Sequence, residues 1–295
     1  MNGASKKENP SRIGVLKTYK MFIGGAFPRT ESGRYIKFKN KQGNVIANIC
    51  RASRKDVRNA VVVARKAQEG WANKTAYNKS QILYRIAENL ESRKEQLIST
   101  LVKEGKSKSS AQLNVDQSID RVVYYAGWCD KYQQIFSSVN PVASDHFNFT
   151  FPEATGVVAC IIPKDGALLS LASMIAPILA GGNSVIVLAG ESHPMTAIEM
   201  SEIIQASDVP GGVINILTGI ETELLSHIAK HMDINALVYC NADKSTLKSL
   251  EEMASLNVKR MINRKVSNWS LDKYQNPYYI MDTQELKTTW HPIAN

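Results

Sequence analysis

The chain has few of the residues from which metal and disulfide scaffolds are built. Its 295 residues include only four cysteines, Cys50, Cys129, Cys160 and Cys240, and no CxxC pair. That spacing excludes a zinc module, and a disulfide framework does not suit a chain of this size and composition. Blocks of like charge are also missing. Lys and Arg number 36 against 27 Asp and Glu, a formal net charge of +9, but the basic residues are spread along the chain with short clusters such as Lys6-Lys7 and Lys259-Arg260. Such spreading suits solvated helix faces and argues against a nucleic-acid partner. The opening MNGASKKENPSR, the start of a polar leader over residues 1–17, lacks the apolar stretch of a signal peptide. Repeats and low-complexity tracts are absent. One uncharged run, residues 166–190, has the length of a membrane span. However, Gly181-Gly182-Asn183-Ser184 divides it into an Ala/Leu-rich piece and a β-branched piece, as in a buried helix followed by a buried strand. A soluble, cytoplasmic protein with no membrane partner is expected.

What is present is enough apolar residue, 44% of the chain, for one or two ordinary cores. Residues 19–24, 34–38 and 45–52 read as short strands between turn signals. Three helical stretches follow. The first carries Val57, Ala60, Val61, Ala64 and Ala67 on one face, and the second Ile82, Ile86, Leu90, Leu97 and Leu101. The third covers residues 111–136, with an aromatic cluster (Tyr124, Tyr125, Trp128, Tyr132) that suits a core or interface. From Gly156 onward, apolar strands alternate with helices: GVVACIIP, SVIVL, VINILTG, INALVYC and residues 258–262 as strands. This pattern specifies an α/β fold with a doubly wound parallel sheet, helices on both faces. Ligands of such folds sit at the carboxyl ends of the strands. The last thirty residues are polar, with Tyr274, Tyr278, Tyr279, Trp269 and Trp290, and read as an extended tail with a strand-like finish.

MFIGGAF, GVVACIIP…IAPILAGGNSVIV, HPMTA and DVPGGVINILTG together resemble the aldehyde dehydrogenase superfamily over roughly residues 18–260. Within it, the chain looks most like the non-catalytic second half of the family 16 enzymes. The closing KTTWHP resembles the strand that ends most members and packs into their oligomerisation arm. The resemblance therefore implies a nucleotide-binding-like domain over residues 18–143 and 154–262, and an arm and tail over residues 144–153 and 263–295. Phe147, Phe149 and Phe151 would form an apolar face of the arm, and residues 285–292 would pair with it and shield Trp290.

The departures from the family carry as much information. An active member needs a cysteine nucleophile and a glutamate base in a domain that follows the nucleotide-binding fold. About thirty residues follow the fifth strand, so that domain is expected to be absent and the chain inactive on its own. Cys160 and Cys240 read as small buried hydrophobes. The family's Pro-Trp-Asn, whose amide donates to a developing alkoxide, corresponds to Pro163, Lys164 and Asp165. Its ribose-binding lysine falls on Leu188, while the neighbouring glutamate is kept as Glu191. The glycine-serine turn that approaches the pyrophosphate is replaced by Cys240-Asn241-Ala242-Asp243. Weak NAD(P) binding or none is expected, with Ile162, Pro163, Glu191 and Gly219 as the positions that would hold a dinucleotide. No catalytic residue and no metal site is expected; His193, His227 and His231 lack a further ligand. The implied function is a structural or regulatory subunit, in a homodimer or in a complex with a catalytic aldehyde dehydrogenase. The alternatives are an NAD(P)-dependent oxidoreductase component whose site a partner chain completes, and a polynucleotide-binding module resting on the +9 charge.

Overall fold

The computed structural model describes residues 14–241 and 243–293, so most of the polar leader, Ala242 and residues 294–295 lie outside the described residues. The described chain opens with a small sheet of β1 (Thr18–Tyr19), β2 (Tyr35–Lys39) and β3 (Val45–Cys50), in the order β1-β3-β2. Of the predicted 19–24 strand only Tyr19 lies in a strand, at the end of β1. Gly24 and Gly25 have φ of 66° and 81°, and the chain turns there. Helix α1 (Arg54–Ala72) starts at a capping box, with the Ser53 and Asp56 side chains each satisfying the other's backbone N–H.

The helical stretch predicted as continuous through Leu101 is two helices, α2 (Ala76–Ser92) and α3 (Lys94–Lys103). Arg93 departs from helical geometry, φ −108° and ψ 18°, and the bend packs α3 against α4 (Lys108–Ala126) and α7 (Pro194–Gln205). The third predicted helix is also two, because α4 stops at Gly127 and α5 (Tyr132–Phe136) restarts after a turn. Two strands follow, β4 (Ser138–Asn140) and β5 (His146–Ala154).

The second half is the predicted alternation: β6 (Val157–Ile161), α6 (Leu168–Ala180), β7 (Ser184–Leu188), α7, β8 (Ile214–Leu217), α8 (Glu221–Ala229), β9 (Ala236–Tyr239), α9 (Lys244–Ser255) and β10 (Arg260–Asn263). These strands form a wholly parallel sheet in the order β10-β9-β6-β7-β8. Every residue of β6, β7, β8 and β9 is buried, which is why these strands read as unbroken apolar runs. One face packs on α6 and α7, which are backed by α2, α3 and α4, and the other on α1, α8 and α9. The uncharged run of residues 166–190 lies in this core, and among the described residues no helix is long and apolar enough to cross a membrane.

Two buried asparagines explain part of the sequence motifs. Asn183 Oδ1 accepts from the Gly156 N–H (2.8 Å), and its Nδ2 donates to the Thr283 carbonyl (2.9 Å). Asn215 Oδ1 accepts from the Gly24 N–H (2.9 Å) while its Nδ2 donates to the Gly212 carbonyl (2.7 Å). Each ties a distant loop to the sheet, and leaving any of these buried amide groups unpaired would cost about 1–3 kcal/mol. Gly211 is required at the second latch, since a Cβ there would lie 2.6 Å from the Gly24 carbonyl oxygen.

The tail is not simply extended. A 3-10 turn (Asp272–Tyr274) and the short α10 (Tyr278–Met281) precede β11 (Gln284–Pro292). Strand β11 runs antiparallel to β5 over nine residue pairs, from Gln284↔Ala154 to Pro292↔His146, and β4 covers the other edge of β5. The arm pairing expected from the sequence is therefore present. Shielding of Trp290 is not: in the single chain it is 57% exposed, its ring meeting His146 edge-on, because β11 is the outer strand of the arm.

Candidate functional site

The parallel sheet reverses its order beside β6, where β7 and β8 lie on one side and β9 and β10 on the other. Loops leaving β6 and β9 diverge at their carboxyl ends, and a crevice opens there, the usual ligand position in such sheets. It is a cavity of about 740 Å³, with Pro163, Asp165, Cys240 and Asn241 on the sheet side. Its far wall is the segment after β10, from which Lys265, Trp269 and Tyr274 line the space. Arg121 on α4 anchors that segment. Its guanidinium donates to Gln275 Oε1 (2.9 Å), Ser173 Oγ (2.8 Å), the Tyr274 carbonyl (2.7 Å) and the Trp269 carbonyl (3.0 Å). Burial lowers the pKa of this guanidinium. Arg264 lies over the Tyr279 ring at 3.7 Å and pairs with Asp282, fixing the next stretch.

A second cavity, about 410 Å³, lies between the small sheet and the ends of β7 and β8, lined by Tyr35, Phe38, Arg51, Glu191 and Gly219 among others. The predicted dinucleotide positions are thus divided. Pro163 faces the larger cavity, Glu191 and Gly219 the smaller, and Ile162 is 1% exposed in the core with its N–H donating to the Leu188 carbonyl at 3.1 Å. Between the cavities the two loops are joined. Ser192 N–H donates to the Lys164 carbonyl (2.9 Å), and a Cβ on Gly190 would lie 2.5 Å from the Pro163 carbonyl oxygen.

The groups that could meet a dinucleotide are engaged within the chain. Glu191 Oε1 accepts from the Glu221 N–H (3.0 Å) and so caps α8, whose first turn has no other side-chain cap. Asn241 Nδ2 donates to both oxygens of Glu221 (3.0 and 2.9 Å). Burial raises the Glu221 pKa, and Glu191 adds to the rise. At the start of α9, Asp243 accepts from the Ser245 and Thr246 N–H groups (3.3 and 2.9 Å). Hydrogen bonds, that from the Thr246 hydroxyl foremost, hold its carboxyl at about 2. The helix end that attracts anions thus already carries one. Ala242, the preceding residue in sequence, lies outside the described residues. Leu188 is buried in β7 and offers no donor side chain.

The cysteines are all buried. Burial pushes the Cys160 thiol well above its ordinary range, which disfavours the thiolate that nucleophilic attack needs. Cys240 reaches the larger cavity, with its Sγ 3.6 Å from Met174 Sδ. Asp165 lies exposed in the loop after β6, where an ionised carboxylate has no proton to donate. Among the described residues no three His, Cys, Asp or Glu side chains converge as a metal site. Sequence reasoning missed Lys106, Lys265 and Tyr35, which line the cavities from distant segments, and Arg121, which anchors the wall of the larger one; only the aromatic content of the tail signalled part of the arrangement.

The family model described as the Aldehyde dehydrogenase family matches residues 27–263. The chain is 32% identical over 270 residues to cytosolic aldehyde dehydrogenase 1 of Elephantulus edwardii, covering 88% of this chain and 53% of that protein. It is 29% identical over 256 residues to the cytosolic 10-formyltetrahydrofolate dehydrogenase of Mus musculus, covering 85% of this chain and 28% of that one. The NAD+ complex of an aldehyde dehydrogenase from Bacillus cereus superposes with a TM-score of 0.79 at 27% identity, over 83% of this chain and 50% of that chain. The chain thus spans about half the length, or less, of the relatives it matches. With the family model matched over residues 27–263, most of its length, the chain belongs to the aldehyde dehydrogenase family.

Proposed function

We propose that this chain is a non-catalytic member of its family that serves as an assembly subunit, pairing through its arm with a second copy or with a catalytic relative. The observation that carries the reading is the arm itself. Strand β11 is the outer strand of the arm sheet and presents Leu286 (61% exposed) and Trp290 to solvent. Phe147, Phe149 and Phe151 line a hollow of about 440 Å³ beside Val139. An uncovered strand edge flanked by apolar side chains invites another chain. The engaged Asp243 and Glu191, and Asp165 in place of an amide donor, argue against turnover by this chain alone. Its relatives named as dehydrogenases are the reason to test that directly.

Sedimentation equilibrium at micromolar concentration is expected to show at least a dimer. Leu286→Lys with Trp290→Lys should weaken it by at least tenfold, since burying either apolar side chain is worth about 1.5–3 kcal/mol. The same sample, given NAD and short aliphatic or aromatic aldehydes, should produce no NADH above the buffer blank. A protein that stays at 32.7 kDa alone and when mixed with purified catalytic relatives, or one that turns over aldehyde, would overturn the proposal.

A further inference from the structure

We propose that the carboxyl-end face of the sheet is a binding surface for single-stranded polynucleotide. The lysines that form it are far apart in sequence, and the fold gathers them. Lys37 and Lys39 stand with Tyr35 on the exposed face of β2, and Lys41 follows in the hairpin. The Lys41 side chain packs at Gly105, where its Cε would lie 2.8 Å from an added Cβ. The next residue, Lys106, lines the larger cavity opposite Lys265. Asp165 lines the same cavity, and its neighbour Lys164, 76% exposed at the side chain, reaches to 4.0 Å from Glu191. Glu191 lines the smaller cavity with Tyr35, which leads back to β2. Lys106 and Lys265 thus line the larger cavity, Lys164 stands between the two cavities, and Lys37, Lys39 and Lys41 belong to the hairpin whose Tyr35 lines the smaller. Apart from Lys164, none of them has an ion-pair partner among the described residues.

Lysines on an edge strand also discourage strand pairing, but Lys106, Lys164 and Lys265 lie on loops, where that explanation does not apply. A second copy of this face would set its lysines against one another, with only carboxylates such as Asp165 and Glu191 to relieve them. An acidic protein would satisfy the lysines and leave the two cavities unused. A single strand satisfies both: phosphates follow the lysines, and unstacked bases have Tyr35 at the smaller cavity and the Trp269–Tyr274 pair, ring centroids 6.4 Å apart, at the larger. A duplex keeps its bases stacked and offers only its backbone.

Fluorescence anisotropy of labelled 20-nucleotide oligouridine and oligothymidine against the full chain tests this; whichever binds more tightly identifies RNA or DNA as the source. Saturable binding is expected, with log K falling linearly in log salt by roughly 0.7 for each phosphate neutralised. Lys37→Glu with Lys39→Glu should weaken binding about tenfold and flatten that slope by roughly 1.4, two phosphates' worth. Tyr35→Ala should weaken oligonucleotide binding by about fivefold or more, in keeping with roughly 1–3 kcal/mol per stacked base, without changing the affinity for polyglutamate. Tyr35, Lys37 and Lys39 are exposed, so circular dichroism should report an intact fold in both variants. No binding at about 50 mM salt would overturn the proposal. So would polyglutamate binding as tightly as the oligonucleotides, or indifference to Tyr35→Ala, either of which would assign the face to acidic partners in general.

Discussion

Arg121 lies on α4 with 3% of its surface exposed, and among the described residues no carboxylate comes within ion-pair distance. Its charge is balanced instead by carbonyl, amide and hydroxyl oxygens, most of them on the segment that walls the larger cavity. Arg121→Met would fill much of the volume but leave those acceptors buried without a donor. Hydrogen bonds from charged groups contribute about 1.5–3 kcal/mol each, and the losses are not additive. A destabilisation of about 3–5 kcal/mol is therefore expected in chemical denaturation, with emission from Trp269 shifted to longer wavelength as its wall loosens. An unshifted spectrum with full stability would show that the wall stands without its anchor. None of this is legible in the sequence. Arg121 occurs in an ordinary helical stretch, and its partners in the tail are 148 to 154 positions away. Asn183 and Asn215 are the opposite case: the motifs flag them as special, and only the fold shows that they act as latches between loops.

Strands were the most legible elements. The central ones carry β-branched runs that only a doubly buried parallel strand requires, whereas the arm strands were flagged by the family resemblance of KTTWHP and residues 144–153, with Phe147, Phe149 and Phe151 alternating at the period of a strand. Helix breaks were not legible. The apolar spacing continues through Arg93, and periodicity alone does not register a bend that keeps the same face inward. Exposure of Trp290 was misjudged for a related reason: pairing fixes which strands meet, but not which strand lies outermost. That exposure gives an expectation at this scale. With 5-fluorotryptophan incorporated and the Trp290 signal assigned by Trp290→Phe, its fluorine shift should respond strongly to D2O in dilute protein. The response should fade at concentrations where assembly is complete. A response unchanged across that range would mean that β11 stays uncovered.

At the scale of the molecule, the sequence foretold the doubly wound sheet, and the crevice lies where such sheets place it, but its polar far wall is supplied by residues beyond β10. Of the predicted dinucleotide positions, Ile162 is in the core, and Pro163 is parted from Glu191 and Gly219 because the loops after β6 and β7 are joined at Gly190 and Ser192. Calorimetry with NAD should therefore give a dissociation constant weaker than about 10 μM, roughly −7 kcal/mol. Asp243→Ser with Leu188→Lys should tighten it at least tenfold, by freeing the α9 terminus and restoring a cation. Tight binding by the unaltered chain would mean that the engaged carboxylates yield to phosphate. The arm has one further consequence, for synthesis. Thr150 and Thr288, which meet at 2.9 Å across β5 and β11, are 138 residues apart. At about 5–20 residues per second, β5 leaves the ribosome roughly 7–28 seconds before its partner strand is made. Throughout that interval a nascent segment rich in phenylalanine has only the short β4 beside it. The protein's yield in a cell should then depend on whatever shelters growing chains, more than its finished, well-packed core would suggest.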